Sequence, residues 1–337
     1  MNGPRYAELQ VTSHFSFLRG ASSCDELFAQ AALLGIEALA VVDRNSLAGI
    51  VRAHEAAKAT GVRLVVGCRL DLADGMSLLV YPKDRPAYGR LCRLLSLGKS
   101  RAGKGLCHLE WADVVAYGEG LIAVLLPDVA DDTCTLHLRR MREAFGKDAY
   151  VALTLRRRPN DQLRIHELAN LATQMGVPTV VTNDVLFHHP ERRMLQDVVT
   201  CIRHNITIDD AGFRRERHAD RHLKAPEEMA RLFSRYPEAL ERAVEIAEQC
   251  RFSLDELAYQ YPEEKMMPGL TAQQALEKLT WEGAARRYPE GLPDKVVGLL
   301  KHELGLIETL QYAPYFLTVN AIVQFARSQD ILCQGRG

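Results

Sequence analysis

The stretch AELQVTSHFSFLRGA, residues 7–21, decides the fold. Its apolar Leu9 and Val11 alternate with polar residues, which predicts a short strand with one buried face. A polar and aromatic loop follows this strand and ends at Gly20. In folds that alternate strands with helices, the loops after the strand ends line the working face. We therefore expect this stretch to form the first wall of a functional site.

The sequence after this stretch repeats a strand–helix–strand pattern. Ser23 and Glu26 have the spacing of a capping box, and Gly35 marks the end of the helix that they begin. Alternating strands and helices predict an α/β fold with a parallel sheet, either open or closed into a barrel. The apolar runs that predict further strands are residues 38–42, 62–66, 77–81, 121–125, 150–155 and 178–181.

From about residue 190 onward the pattern becomes helical. A tyrosine-, acid- and proline-rich stretch at residues 254–268 is typical of a linker, so we place a domain boundary between residues 265 and 266. Residues 331–333 are strand-like and precede Gly335-Arg336-Gly337. The later predicted helices are residues 190–201, 226–233, 237–249, 272–287, 293–311 and 314–327.

Composition excludes several classes of protein. The 337 residues suggest about two domains. With 42 basic and 43 acidic residues, the net charge of −1 carries no whole-chain signature of nucleic-acid binding. The eight cysteines form no C-x-x-C pair, which favours a reducing compartment. No apolar run reaches the ~20 residues of a membrane span, and no signal segment begins the chain, so we expect a cytoplasmic protein without a membrane partner.

Ligand-type side chains follow several of the predicted strands. Asp43, Asp184, His188 and His189 have the oxygen and imidazole donors that divalent metals bind. A metal site needs three or four converging ligands, and two arginines near a cation would repel it. The alternative is that Asp43 and Asp184 pair with Arg44 or Arg69 at the barrel mouth. The other strand-end positions hold Gln10, Thr12, Arg44, Arg69 and Leu186.

Three further patterns are weaker. Gly335-Arg336-Gly337 suits phosphate binding through backbone amides and a guanidinium, although such a turn is also common without a ligand. The basic loop at residues 203–222, with its arginines from Arg214 to Arg221, is either solvated or in contact with phosphates. Ser16 beside His14 lacks an orienting carboxylate in the sequence, so we expect no nucleophilic catalysis there.

Four segments together resemble a known family. They are AELQVTSHFSFLRGAS, VVDRNSLAGIVRAHEAA, RFSLDELAYQYPEE and YFLTVNAIVQFARSQDILCQGRG. They are similar to the amino-terminal part of bacterial C-family DNA polymerases, above all to the error-prone branch related to the polymerase III alpha subunit. The resemblance covers nearly the whole chain, and the last two segments are the most specific.

The resemblance implies a polymerase-and-histidinol-phosphatase (PHP) domain at residues 1–265, a distorted β/α barrel. It implies the start of a polymerase palm at residues 266–337, where Gly335, Arg336 and Gly337 match a turn that holds nucleotide phosphates. An active PHP domain carries histidines, aspartates and a glutamate as metal ligands. By the resemblance, those positions are taken here by Gln10, Thr12, Asp43, Arg44, Arg69, Asp184 and Leu186, so we expect no functional metal site and no catalytic residue in this chain.

The function that the resemblance implies is DNA-directed DNA synthesis across damaged templates. The parent enzyme would use Mg²⁺, a primer-template and deoxynucleoside triphosphates, with mutasome accessory proteins and a sliding clamp as partners. Its magnesium-binding palm carboxylates would lie beyond Gly337, so we expect these 337 residues alone to be inactive in synthesis. The alternatives are a metal-dependent phosphoesterase and a non-enzymatic scaffold of the polymerase.

Overall fold

The computed structural model describes residues 3–257 and 267–334. Contacts between Cα atoms divide the chain into two compact units, Met1–Glu256 and Leu257–Gly337. The predicted boundary between residues 265 and 266 falls outside the described residues and stays a prediction. None of the helices in the two described ranges is long and apolar enough to cross a membrane.

Strands and helices alternate along most of the first unit. Its described strands are β1 (Ala7–Val11), β2 (Ala38–Val41), β3 (Arg63–Val66), β4 (Cys68–Asp71), β5 (Ser77–Pro82), β6 (Leu121–Leu125), β7 (Ala149–Leu153) and β8 (Thr179–Val181). Its described helices are α1 (Cys24–Leu34), α2 (Ile50–Thr60), α3 (Arg85–Ser100), α4 (Trp111–Tyr117), α5 (Asp132–Phe145), α6 (Asp161–Met175), α7 (Arg193–His204), α8 (Pro226–Leu232) and α9 (Pro237–Gln249).

The predicted capping box begins helix α1. The Ser23 hydroxyl accepts a hydrogen bond from the Glu26 backbone N–H, and the Glu26 carboxylate accepts one from the Ser23 backbone N–H. Gly35 ends the helix with a φ of 72°, a left-handed conformation that glycine adopts without strain. These bonds satisfy backbone groups that a helix end would otherwise leave unpaired, so the helix bounds follow from the local sequence.

The strands form two sheets that short bridges join into a ring. One sheet has the order β1-β2-β3, and the other has the order β4-β5-β6-β7-β8. Val11 pairs with Val185 just beyond β8, and Arg44 pairs with Arg69, which links the end of β2 to β4. The closed ring is a distorted β/α barrel, and this confirms the predicted fold class.

Strand β5 does not run parallel to its neighbours, so the expectation of a parallel sheet is wrong at this position. It pairs antiparallel with both β4 and β6. A tight turn joins β4 to β5, with a hydrogen bond of 2.9 Å from the Leu72 N–H to the Met76 carbonyl and a φ of 88° at Gly75. A connection this short makes only a hairpin, because parallel strands need a long crossover. The Asp74-Gly75 pair in the sequence is a hairpin signal.

A hydrogen bond across the barrel interior anchors β1. The side chains of Tyr6, Phe28 and Tyr81 are among the largest that are fully buried. The Tyr81 hydroxyl, on β5, donates to the Leu9 carbonyl of β1 over 2.6 Å. Because β1 and β5 are not neighbours in either sheet, this bond ties opposite walls of the barrel together.

The described part of the second unit is helical. Its helices are α10 (Ala272–Arg287), α11 (Asp294–Thr309) and α12 (Ala313–Ser328). They share a small core formed by Ala275, Leu276, Leu304, Ala313 and Leu317. The predicted strand at residues 331–333 is absent, since these residues pair with no other strand among those described. Gly335, Arg336 and Gly337 lie outside the described residues.

We expect Gly20→Ala to destabilise the first unit. A Cβ atom at Gly20 would lie 2.4 Å from the Ser13 carbonyl oxygen and 2.6 Å from that of Thr12, and backbone atoms cannot move aside cheaply. The loss in the free energy of unfolding should be about 1–3 kcal/mol, the cost of overpacking. Urea unfolding followed by circular dichroism measures it.

Gly89→Ala is the matched control. Gly89 lies inside helix α3, and a Cβ atom there would meet nothing within 4 Å. Alanine is the better helix former, so this variant should be as stable as the wild type or more stable by up to about 1 kcal/mol. An unchanged urea midpoint for Gly20→Ala would contradict the crowding argument.

Candidate functional site at the barrel mouth

Most of the sequence-predicted residues gather at the end of the barrel where β1 and β2 finish. The Gln10 side chain lies 2.8 Å from the Asp184 carboxylate, and the Arg69 N–H donates to the Asp43 carbonyl over 3.1 Å. Leu186 is an exception, because it packs with Ala21 and Phe187 in a separate apolar cluster. Gln10, Asp43, Arg69 and Asp184 therefore lie together at the mouth, whereas Leu186 lies apart from them.

Gln10 holds Asp184 through a buried chain of side chains. Its amide nitrogen donates to Asp184, and its amide oxygen accepts from the Thr182 hydroxyl over 2.8 Å. The Thr182 hydroxyl lies 2.6 Å from that of Thr154 on the neighbouring strand. Gln10 is only 3% exposed, so this chain orders the interior of the mouth rather than its surface.

Arg221 is the cation partner of Asp184. Its Nη2 lies 2.6 Å from the Asp184 Oδ2, and its Nε donates to the Asp184 carbonyl over 2.9 Å. Its Nη1 donates to Glu216 over 2.8 Å. Burial would raise the pKa of Asp184, but the charges of Arg221, Arg69 and Arg156 hold it below its ordinary value. Asp184 is therefore a carboxylate whose charge is already balanced.

This pairing also corrects the interpretation of the basic loop. The sequence predicts that the arginines from Arg214 to Arg221 are either solvated or bound to phosphate. Arg221 is neither, since it spans two carboxylates inside the mouth. Arg214 and Arg215 are exposed, and the Arg217 guanidinium lies 5.4 Å from the centre of the Phe213 ring.

Asp43 binds the loop that follows β1. Its carboxylate accepts hydrogen bonds from the Ser13 N–H at 2.9 Å, the Ser13 hydroxyl at 2.8 Å and the Ser16 hydroxyl at 2.7 Å. Burial raises the pKa of Asp43 despite these donors. Ser16 is thus an anchor of the loop, while the His14 ring lies 3.2 Å from the Ser22 carbonyl, so the two do not form a nucleophile–base pair.

The two arginines of the mouth share a carboxylate that sequence reasoning missed. Arg44 Nη1 lies 2.5 Å from Asp71, and Arg69 Nε lies 2.9 Å from the same side chain. The expectation that Arg44 or Arg69 pairs with Asp43 or Asp184 is therefore wrong. The sequence did contain a signal for this pair. Arg69 and Asp71 are two residues apart on β4, so their side chains lie on the same face of the strand. Burial and the nearby Arg69 lower the pKa of Arg44 to about 10, so it keeps its charge at neutral pH.

These contacts do not fit a metal centre. Each of the three carboxylates at the mouth, Asp43, Asp71 and Asp184, already accepts hydrogen bonds from hydroxyl, amide or guanidinium donors. The His188 ring bonds to the Ser22 hydroxyl at 2.8 Å. Within residues 3–257 and 267–334, no group of three or more His, Cys, Asp or Glu side chains is placed to hold a metal ion. We therefore derive no metal-dependent step from this site.

A buried carboxyl lies deeper in the barrel. Glu8 on β1 is 1% exposed and accepts hydrogen bonds from the Tyr6 hydroxyl at 2.7 Å and the Gln10 N–H at 2.8 Å. Burial raises the pKa of Glu8 to about 7, although these donors and Lys224 oppose the shift. Lys224 is itself buried and donates to Asn183 over 3.0 Å. The apolar residues on either side of Glu8 gave no signal of this network.

Two family descriptions match the chain. Residues 8–155 match the PHP domain, and residues 274–337 match the bacterial DNA polymerase III alpha NTPase domain. Over 337 residues the chain is 73% identical to error-prone DNA polymerase 1 of Agrobacterium fabrum. The alignment covers all of this chain and 31% of that protein. Over its whole length the chain is therefore similar to about a third of an error-prone DNA polymerase. This confirms the resemblance seen in the sequence.

A more distant relative shows the same similarity over the whole chain. The error-prone DNA polymerase of Caulobacter vibrioides is 52% identical over 339 residues, again all of this chain and 31% of the relative. The chain thus spans about a third of the length of these polymerases. Among solved structures, an amidohydrolase from Chromobacterium violaceum has a TM-score of 0.43 and 16% identity, over 54% of this chain and 87% of that one. That likeness is too low to add to the assignment.

Removal of Arg221 should destabilise the barrel. Arg221→Ala leaves the Asp184 side chain, which is only 17% exposed, without its counter-charge. We expect a loss of about 2–3 kcal/mol in the free energy of unfolding at neutral pH. Because the folded pKa of Asp184 is depressed, the stabilisation is present above the unfolded pKa, and the loss should shrink as the pH falls below about 4.

Two variants test the charge argument. Arg158→Ala removes an exposed pair with Asp128 and should change stability by less than about 0.5 kcal/mol. Adding Asp184→Asn to Arg221→Ala should recover part of the loss, because a neutral amide needs no counter-charge. Equal urea midpoints for Arg221→Ala and Arg158→Ala would rule out the proposed role of the pair.

Glu8 should make stability depend on pH. Its folded pKa of about 7 exceeds the ordinary 4.5, so the native state favours the protonated carboxyl. The contribution of Glu8 to native stability is then greatest below pH 4.5 and is lost as the pH rises through 7, by at most about 1.4 kcal/mol per unit. Glu8→Gln removes this titration. The difference in unfolding free energy between wild type and Glu8→Gln should therefore fall across this range, and a flat difference would contradict the raised pKa.

Proposed function

We propose that this chain is the PHP domain and the beginning of the palm of an error-prone DNA-directed DNA polymerase, a nucleotidyltransferase that copies damaged templates during DNA repair. One observation carries the proposal: a polymerase III alpha match at residues 274–337 follows a PHP match at residues 8–155 in a single chain. The relatives that cover the whole chain are named error-prone DNA polymerases. We propose residues 1–265 and 266–337 as the two domains.

The chemical step belongs to the palm in this proposal. Nucleotide transfer needs two Mg²⁺ ions held by carboxylates, which stabilise the attacking and leaving oxygens. We expect those carboxylates outside residues 1–337. Arg336, with the amides of Gly335 and Gly337, would bind the phosphates of the incoming deoxynucleoside triphosphate. These three residues lie outside the described part of the chain, so this role rests on the sequence alone.

The PHP barrel supports the polymerase without chemistry of its own. Arg221 binds Asp184, one of the two aspartates left at the metal-ligand positions, and Arg44 and Arg69 bring positive charge to the mouth beside Asp71, which argues against the alternative of a phosphoesterase. The barrel then has the role of a scaffold. The partners of the whole enzyme would be a primer-template, mutasome accessory proteins and a sliding clamp, in the cytoplasm.

Primer extension tests the proposal. The full-length polymerase that carries this chain should extend a primed template past a lesion in the presence of Mg²⁺, whereas residues 1–337 alone should give no extension. Arg336→Ala in the full-length enzyme should raise the KM for deoxynucleotides by roughly tenfold, the weight of one charge-assisted contact to phosphate. Absence of extension by the full-length enzyme would refute the assignment.

Metal analysis separates the phosphoesterase alternative. Purified residues 1–337, dialysed against zinc, manganese and iron, should retain no stoichiometric metal and should not hydrolyse p-nitrophenyl phosphate. Arg44→Ala or Arg69→Ala should lower the melting temperature without creating such hydrolysis. Tightly bound metal in the wild type together with hydrolysis would restore the phosphoesterase function.

A further inference from the structure

A cleft of about 870 Å³ opens beside the barrel mouth. The loop after β1 forms one wall with residues 15–19, and the loop after β2 contributes residues 44–46. Lys99 near the end of α3, residues 102–107 after that helix and Arg203 of α7 also line the cleft. The cleft belongs entirely to the first unit and is separate from the saturated carboxylates of the mouth, apart from the Asp71 that borders both.

The cleft concentrates positive charge. Five cationic residues line it against a single acid, Asp71, which Arg44 and Arg69 already neutralise. The whole chain has a net charge of −1, so this excess is local. The five cations are Arg19, Arg44, Lys99, Lys104 and Arg203.

Most of these cations have no anionic partner of their own. The side chains of Arg19, Lys99 and Lys104 make no hydrogen bond or ion pair within the described ranges, 3–257 and 267–334. Arg203 donates to the Leu18 carbonyl over 3.1 Å, and burial and the nearby Arg19 lower its pKa. Like charges held close together without counter-charges repel each other, and an anion in the cleft would relieve that repulsion.

An exposed aromatic ring stands at the same cleft. Phe17 is 81% exposed, whereas the neighbouring Phe15 packs against the barrel core. The backbone around Phe17 is held in place, because Ser13 and Ser16 bind Asp43 and the Arg203 guanidinium binds the Leu18 carbonyl. A fixed loop that presents a solvent-exposed ring beside unpaired cations has the two parts of a single-strand binding surface, a stacking platform and a charged groove.

We propose that this cleft binds single-stranded DNA, with phosphates on Lys99, Lys104, Arg19 and Arg203 and a base stacked on Phe17. The choice of DNA rests on the proposed polymerase function. The exposed ring favours a single strand, whose bases are free to stack on protein, over a duplex, whose bases already stack on one another. An acidic peptide or a free phosphate would use the cations and leave the ring without a role.

Fluorescence anisotropy with a labelled oligothymidylate of ~20 nucleotides tests the cleft on residues 1–337. Lys99→Glu with Lys104→Glu should weaken binding at least about tenfold. It should also reduce the slope of log K against log salt by about 1.4, since each phosphate contact on a single strand contributes about 0.7. Phe17→Ala should weaken binding on the order of tenfold with an unchanged salt slope, because stacking releases no counterions.

Lys147→Glu with Arg235→Glu is the matched control. It makes the same change in net charge, but Lys147 precedes β7 and Arg235 lies with the residues that precede β8, at the opposite end of the barrel. Both control residues are exposed, so folding should be unaffected. Melting curves test whether each variant is folded. If Lys99→Glu with Lys104→Glu unfolds, Lys104→Glu alone replaces it, because Lys104 lies in an exposed loop.

Several outcomes would overturn the inference. One is that the cleft and control variants weaken oligothymidylate binding equally, and another is that Phe17→Ala has no effect on binding. A third is that duplex DNA or inorganic polyphosphate binds with the same affinity as oligothymidylate. A failure of this inference can be distinguished from a failure of the proposed polymerase function. Failure of the chain to bind the oligonucleotide while the full-length enzyme extends primers would reject only the cleft, and intact binding without primer extension would reject only the proposed function.

Discussion

The ion pair between Asp184 and Arg221 is the contact on which the barrel mouth depends. Asp184 follows β8, the strand whose extension meets β1 and closes the ring. A carboxylate in this position loses its hydration, and burial of an unpaired charge costs several kcal/mol. Arg221 supplies a permanent cation with several donors, which bind both the Asp184 carboxylate and its carbonyl. The barrel thus closes around a charge that the protein itself balances.

The same solution recurs around the mouth. Arg44 and Arg69 neutralise Asp71, and two serines saturate Asp43. Carboxylates engaged in this way have few free lone pairs for a cation, and the guanidinium groups raise the local potential. The surplus of positive charge extends outward into the cleft beside Phe17. A mouth of this charge suits a polyanion better than a metal ion.

Local signals in the sequence predicted much of the fold. The capping box at Ser23, the apolar runs and the helical periodicities placed most elements within a few residues of their observed bounds. The periodicity of residues 77–81 predicted β5 but not its direction. Strand direction depends on the length of the connection to the preceding strand, and here that connection is the short turn at Asp74-Gly75. The predicted strand at residues 331–333 was wrong because a short apolar run needs a partner strand, and residues 267–334 contain none.

The sequence by itself determined which side chains stand at the strand ends, among them Gln10, Thr12, Arg44 and Arg69. Residue type and short-range periodicity are local properties, and they need no knowledge of the folded chain. Only the tertiary structure decided which carboxylate meets which cation, because these partners are far apart in sequence: Gln10 and Asp184 are separated by 174 residues, and Arg221 lies 37 residues beyond Asp184. The raised pKa of Glu8 was also decided only by the tertiary structure, because Glu8 becomes buried only when the ring of strands has closed.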